Sequence, residues 1–379
     1  MALGKTSTGS RSTRCSAWRR ITMENRTEAL LERLPKEIEG VLITSEVGRR
    51  YLTGMQSSAG TLLALRGIGA YLIIDFRYFE KARAVCSGCE VILQDKLYGQ
   101  IGELLKRHGV RRLAVESDYM TLAEYARWKE RLPDIELFSD ARAGEALRAL
   151  RAVKSPRELA AIRAAQKITD DAFTHICGYI KAGMTDRQIA GELLDYTYRH
   201  GSERPAFDYI VVSGAHSSMP HGVPTDKKVE KGDFITMDFG CVVDGYCSDM
   251  TRTVAIGQVS EEQRHVYDIV LQAQKAAIAA VRPGAVCGDV DAAARGVIAQ
   301  AGYGGAFGHG TGHSLGLEIH ETPAFAPENT HICAPGMVIT VEPGIYLEGR
   351  FGVRTENMVL VTQDGSEDLT SSDRNLLVL

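Results

Sequence analysis

The first half of the chain alternates short apolar runs with amphipathic stretches. Residues 41–44, 61–65, 70–74, 90–93 and 112–115 are rich in Val, Ile and Leu, and their lengths suit strands rather than helices. Between and around them, residues 24–34, 100–108 and 122–131 carry helical spacing. Strands alternating with helices predict an α/β domain. Within it, Asp75-Phe76-Arg77-Tyr78 reads as structural or interfacial rather than catalytic.

The pattern changes near residue 155. Ser155 and Pro156, with Glu158 just behind, form a strong helix start. They open a long helical region predicted to reach about His200. A domain boundary placed here divides residues 23–152 from residues 153–379.

The second part contains an internal echo. Residues 232–240 (GDFITMDFG) match residues 336–344 (GMVITVEPG), offset by 104. Upstream, Lys181-Ala182-Gly183 followed by Ile189, Leu193 and Gly201 matches Arg282-Pro283-Gly284 followed by Val290, Ala294 and Gly302, offset by 101. A repeat this long is no solenoid unit. It predicts two related helix-plus-hairpin halves facing each other, each offering one acid at the same strand position: Asp238 and Glu342.

Composition narrows the function. The 379 residues are 44% hydrophobic and 24% charged, as in a globular protein with a real core. A net charge of −4 argues against a nucleic-acid partner. No apolar run approaches the roughly 20 residues of a membrane span, so no membrane partner is expected. Eight scattered cysteines without a secretory signal fit reduced thiols in the cytoplasm. Neither a second such pair nor a neighbouring histidine accompanies Cys86 and Cys89, and a redox or zinc role is not assigned to them. Residues 1–22 are basic, lack acids and are rich in Ser and Thr. They fit a transit peptide, or a disordered leader ahead of a start at Met23.

The candidate chemistry follows from the two hairpins. In the first, the Asp244-Gly245 turn pairs Val243 with Tyr246, Gly240 with Asp249, and Asp238 with Thr251. Asp238 and Asp249 then share one face as diagonal neighbours and repel each other unless a cation lies between them. In the second, Glu342 interrupts an apolar strand, and Arg354 and Glu356 alternate along a return strand over residues 353–361. Three histidines, His309, His313 and His320, fall within twelve residues threaded by glycines. Asp238, Asp249, Glu342 and Glu356 around one imidazole would carry −4, which two divalent cations balance. Oxygen-rich donors with one nitrogen suit Mn²⁺, Co²⁺, Fe²⁺ or Zn²⁺. Two such ions roughly 3.5–4 Å apart can generate hydroxide from a bridging water and polarise a carbonyl, which points to hydrolysis of an acyl bond.

These motifs resemble the pita-bread metallopeptidases, and among them the aminopeptidase P and prolidase branch. Asp238-Phe239-Gly240, Asp249 to Thr253 (DMTRT), His309 to Glu321 (HGTGHSLGLEIHE), Val341 to Gly344 (VEPG) and Arg354 to Asn357 (RTEN) occur in that order, and the resemblance spans residues 24–379. It implies an α+β chain: a creatinase-like α/β domain, then a pita-bread catalytic domain with an internal pseudo-twofold repeat. It implies that Asp238 chelates one metal, that His313 and Glu342 hold the other, and that Asp249 and Glu356 bridge both. His221, in Met219-Pro220-His221-Gly222, matches a substrate-binding and proton-handling histidine. His309 and His320 match two that orient substrate and stabilise the tetrahedral intermediate, and Arg354 matches an arginine behind Glu356. The implied enzyme is a homodimeric Xaa-Pro aminopeptidase with Mn²⁺ as the expected ion, a metal-bridging hydroxide as nucleophile and a peptide with proline second as substrate. Prolidase, which cleaves only the dipeptide, is the alternative. The N-terminal domain argues against a minimal methionine aminopeptidase. Non-catalytic binding modules of this fold lose metal ligands, whereas all five are present here.

Overall fold

The computed structural model describes residues 25–379; the basic leader expected over residues 1–22, and Met23, lie outside the described residues. The first domain contains α1 (Arg26–Arg33), β1 (Gly40–Ile43), α2 (Glu46–Thr53), β2 (Thr61–Leu65), β3 (Gly69–Ile74), α3 (Phe76–Val85), β4 (Glu90–Leu93), α4 (Leu97–His108), β5 (Arg112–Val115), α5 (Leu122–Arg131), β6 (Glu136–Phe138) and α6 (Arg142–Ala152). Its strands form one sheet in the order β4-β3-β2-β1-β5-β6. The β1–β2 and β2–β3 pairs are antiparallel and the others parallel.

Helices cover both faces of this sheet, which is why its central strands are continuous apolar runs. Along β2, Leu62 and Ala64 join one core with Leu30, Leu52 and Leu147. Leu63 and Leu65 join the other with Leu105 and Trp128. The strands expected from hydrophobicity are present, and α2, α3, α6 and β6 are added to them. Asp75 caps α3 through a hydrogen bond from the Arg77 amide, 2.9 Å, so residues 75–78 are a helix start.

The second domain contains α7 (Pro156–Tyr179), α8 (Asp186–Arg199), β7 (Ile210–Ser213), β8 (Phe234–Phe239), β9 (Val242–Val243), β10 (Tyr246–Cys247), β11 (Met250–Ala255), α9 (Glu261–Ala280), α10 (Cys287–Gln300), β12 (Gly312–Ser314), β13 (Glu321–Phe325), β14 (Val338–Val341), β15 (Gly344–Leu347), β16 (Phe351–Arg354), β17 (Asn357–Val361) and β18 (Ser366–Asp368). Ser155 and Glu158 close the capping box that opens α7. The helical region expected to reach about His200 consists of two helices. Gly183 takes a left-handed φ of 92°, and Thr185 starts α8 with a capping box of its own.

The internal echo is realised in the elements. α8 and α10 begin and end 101 residues apart, and β8 and β14 begin 104 apart. Each half presents a three-strand unit, β7-β8-β11 and β12-β14-β17, the second extended by β13 and β18. One apolar core lies between α7, α8 and the first unit, another between α9, α10 and the second. Arg252 joins the halves. It is buried in β11 and donates to the Glu356 carbonyl at 2.5 Å, to Asn357 Oδ1 at 2.9 Å and to the Ser372 carbonyl at 2.8 Å.

Candidate metal centre

The first hairpin holds the register expected from its turn. Asp244 and Gly245 have φ of 48° and 81°, Val243 faces Tyr246, and Asp238 faces Thr251. Ile235, Met237 and Phe239 point into the core, which leaves Asp238 on the opposite face. Between β8 and β9 the ladder is interrupted. The Cys241 amide donates to Ser248 Oγ at 2.9 Å, and the Ser248 amide to the Cys241 carbonyl, also at 2.9 Å. A Cβ on Gly240 would stand 1.9 Å from the Ser248 carbonyl oxygen, so only glycine allows this approach. Asp249 sits beside the interruption and is buried.

The second hairpin is interrupted too, and here an expectation needs correction. The return strand expected over residues 353–361 is two strands: β16 pairs with β15, and β17 with β14. The gap falls at Thr355-Glu356, opposite Glu342-Pro343. Pro343 has no amide to donate. The Glu342 amide donates instead to the Thr311 carbonyl at 2.7 Å, and the Glu356 amide to the Thr251 carbonyl at 3.1 Å. Both acids therefore stand where the backbone leaves its own ladder for a neighbouring strand.

His313 comes from β12, beside β14. A Cβ on Gly312 would lie 1.8 Å from the Thr340 carbonyl oxygen. Its absence lets the His313 amide reach Thr340 Oγ1 at 3.0 Å, while that hydroxyl donates to Glu342 Oε1, also at 3.0 Å. His313 Nδ1 lies 3.1 Å from the Ser314 carbonyl, a contact that makes Nδ1 the protonated nitrogen. Nε2 then turns its lone pair toward Glu342 Oε1 at 3.3 Å and Asp249 Oδ2 at 3.5 Å. Burial lowers the His313 pKa, so the ring does not supply the missing positive charge.

The carboxylates give the same answer. Burial, then the charges of Glu356, Asp238 and Glu342, push the Asp249 pKa well up. Burial, then Glu342 and Asp238, do the same to Glu356. Burial raises Glu342, and Asp238 adds to it. Asp238 Oδ1, Asp249 Oδ1 and Glu356 Oε1 are buried without a hydrogen-bond partner. Donor atoms of Asp249, His313 and Glu356 lie within 4.8 Å of one another. Three buried carboxylate oxygens left without a donor, beside one imidazole lone pair, fit divalent cations.

Around this cluster, Arg354 is almost fully buried and donates to four groups. They are Asp238 Oδ2 at 2.6 Å, the Tyr346 hydroxyl at 2.9 Å, Thr251 Oγ1 at 3.0 Å and the Pro220 carbonyl at 3.2 Å. The Thr251 hydroxyl in turn donates to Glu356 Oε2 at 2.7 Å. His309 Nδ1 lies 2.8 Å from the Gly310 carbonyl and Nε2 2.9 Å from the Tyr346 hydroxyl. Nδ1 is therefore the donor and Tyr346 donates to Nε2. His221 and His320 are exposed to the cleft; the His320 ring meets His313 edge-on at 4.4 Å. The next residue, Glu321, accepts from Arg151 at 2.6 Å and Lys154 at 3.2 Å. The end of the first domain is thereby tied to the wall that carries His320.

All nine residues singled out from sequence (His221, Asp238, Asp249, His309, His313, His320, Glu342, Arg354 and Glu356) line one cavity of about 600 Å³. Tyr346, Thr251 and Thr340 were not assigned roles. Thr251 was legible as the residue facing Asp238 in the expected register, and Thr340 as the repeat's copy of Thr236 two residues before Glu342, but nothing in the spacing marks Tyr346.

Fold and site together define a two-domain metallopeptidase. The model of metallopeptidase family M24 matches residues 160–363, and that of the creatinase/prolidase N-terminal domain matches residues 26–153. The chain belongs to the M24 family. It is 42% identical over 343 residues to the uncharacterized peptidase YqhT of Bacillus subtilis, covering 90% of this chain and 96% of that one. A solved Xaa-Pro dipeptidase from Bacillus anthracis superposes with a TM-score of 0.90 at 36% identity, covering 94% of this chain and all of the other. An X-Pro aminopeptidase from Thermotoga maritima MSB8 superposes with a TM-score of 0.86 at 33% identity, covering 93% and 100%.

Proposed function

We propose that this chain is an exopeptidase of the aminopeptidase P type, hydrolysing the Xaa-Pro bond at the N-terminus of peptides longer than a dipeptide. The observation that carries this choice is the charge of the cavity wall. Among the described residues lining it, Arg354 is the sole Arg or Lys, and its guanidinium is committed to Asp238, Tyr346, Thr251 and Pro220. A dipeptidase must hold the proline carboxylate beside the scissile bond, and this wall offers no spare cation for it. His320 does not fill that role at neutral pH, because burial, His313 and His221 all lower its pKa.

Asp238, His313 and Glu342 would each serve one of two divalent ions, and Asp249 and Glu356 both. Mn²⁺ is the proposed ion, in keeping with the oxygen-rich donors. Such ions supply Lewis acidity and acidify a water molecule. The chain's own groups do the rest. Arg354 fixes Asp238 and, through Thr251, Glu356, and outer contacts of this kind orient ligands and tune their basicity. His221 and His320 line the cavity, exposed and with no hydrogen bond to either ring among the described residues, which leaves them free to meet the substrate carbonyl and the departing proline nitrogen. His309 acts through Tyr346, whose hydroxyl it orients.

The alternative, Xaa-Pro dipeptidase, is favoured by the name of the Bacillus anthracis relative, whose TM-score exceeds that of the aminopeptidase. Steady-state hydrolysis of Xaa-Pro against Xaa-Pro-Yaa-Zaa decides. Strong preference for the tetrapeptide is expected, and activity on dipeptides alone overturns the aminopeptidase reading. The seven free cysteines of the described residues suit a reducing compartment such as the cytoplasm. No described helix is long and apolar enough to cross a membrane. Exposed Phe76 (84%) and Leu122 (87%) on the first domain suit the proposed homodimer, which sedimentation velocity tests.

A further inference from the structure

A second cavity, of about 550 Å³, lies between the two domains. Val47 and Arg50 of α2 form one wall, and Arg204, Leu317, Ile319 and His320 form the other. Ile319 and His320 also line the metal-centre cavity, so the two chambers share a partition, and that partition carries a proposed substrate-handling histidine. The volume is that of an ordinary small-ligand site.

The charges in this chamber are unequal in their commitments. Glu318 is held by Arg151 at 2.6 Å. Arg50 leans toward Glu203 at 3.9 Å. Glu46 lies in the first turn of α2, where the helix amides hold a negative charge. Arg204 is exposed, and the one hydrogen bond of its guanidinium is to the neighbouring Pro205 carbonyl at 3.1 Å. No carboxylate of the described residues lies within ion-pair distance of it. A planar fork of donors without an acid, at the edge of a chamber adjoining the scissile-bond site, is suited to a carboxylate.

Resting on the aminopeptidase reading above, we infer that this interdomain chamber receives the residues after proline, and that Arg204 binds the C-terminal carboxylate of short peptides. The enzyme's preferred substrates are then tri- and tetrapeptides with a free C-terminus. Arg204 is a specificity residue, not a catalytic one.

The test compares Ala-Pro-Ala with its C-terminal amide. The wild type should favour the free acid in kcat/KM by roughly tenfold, the scale of one charge-assisted hydrogen bond at a partly exposed site. In Arg204→Ala the acid-to-amide ratio should fall to about one through a rise in KM, and Arg204→Lys should keep part of the preference. Arg204→Gln, which keeps the polar stem, replaces the alanine variant if that one does not fold. An unchanged ratio in the alanine or glutamine variant overturns the assignment of Arg204 while leaving tripeptide cleavage standing. If the wild type cleaves neither tripeptide, the aminopeptidase reading falls and the inference with it.

Discussion

Stripping divalent ions should reverse the pH dependence of this protein's stability. Asp249, Glu342 and Glu356 have carboxyl groups whose pKa values burial and mutual repulsion raise. In the unfolded chain such groups lose their protons near pH 4, while in the metal-free fold they keep them to higher pH. Over that window the native state binds more protons than the unfolded state. Stability therefore falls as pH rises from about 4, by about 1.4 kcal/mol per pH unit for each proton so held. It stays low above the folded pKa values. Bound cations replace those protons, so loading stabilises more as pH rises. At a hundredfold excess over Kd, each ion contributes about 2.7 kcal/mol, or about 5 kcal/mol for the pair. Melting curves from pH 5 to 8, with chelator and with Mn²⁺, measure both trends. The difference between loaded and stripped samples isolates the site from every other titrating group. It should widen toward pH 8, and a difference that is constant or shrinks refutes the assignment of these carboxylates to a metal site.

Three substitutions probe the parts separately. Asp249→Ala should abolish activity and lower the metal bound per chain, read by elemental analysis, because it removes a carboxylate from the centre of the cluster; an active, metal-replete variant refutes the bridging role. Glu321→Gln should cost about 3–5 kcal/mol in chemical denaturation. Burial alone would raise the Glu321 pKa, but Lys154 and Arg151 outweigh it and hold it low, and removing the charge leaves the Lys154 ammonium, its side chain 1% exposed, without a carboxylate, while Arg151 keeps only Glu318. Tyr346→Phe should keep metal content and fold while lowering kcat roughly ten- to hundredfold, since it cuts the link between His309 and Arg354; unchanged kcat would make that tyrosine a packing residue.

The sequence made the central parts of this molecule legible because they rest on local rules. The Asp244-Gly245 turn dictates the register that sets Asp238 opposite Thr251, and period-two alternation sets which face each acid takes. The echo at offsets of 101 and 104 was visible because the same helix ends and strand starts recur. Less legible were features decided by tertiary contact. α3 begins on a half-polar run with Phe76 exposed, so its hydrophobic pattern is weak, and the Asp75 cap is the better signal. The break at Thr355-Glu356 cannot be read from strand pattern, because residues 353–361 keep their register across it. It becomes visible only when the Glu356 amide is found on the Thr251 carbonyl of the other half. Tyr346 gains its place from His309 and Arg354, residues 37 and 8 positions away.

The repeat explains how a near-symmetric scaffold holds an asymmetric centre. Asp238 and Glu342 occupy equivalent positions in β8 and just past β14, so one acid per half follows from the repeat itself. The facing strands break the equivalence. Thr251 faces Asp238, whereas the residue in register with Glu342 is Glu356. Arg354, facing Gly344, holds the place that Asp249 holds opposite Gly240. The second acid of each half thus comes from a non-equivalent position, and an arginine stands where a twofold copy would put a third aspartate. Arg354 spends that difference on Asp238 and, through Thr251, on Glu356. With a fully symmetric donor set the two cation positions would be alike. Here Asp238 shares its charge with a guanidinium, while Glu342 meets the uncharged His313 lone pair and the Thr340 hydroxyl. The two ions should therefore differ in affinity, the one beside His313 and Glu342 binding first. Calorimetric titration of the stripped protein with Mn²⁺ should resolve two steps, and Arg354→Met should draw them together by freeing the Asp238 charge. A single step of two equal sites in the wild type would remove the arginine from this role.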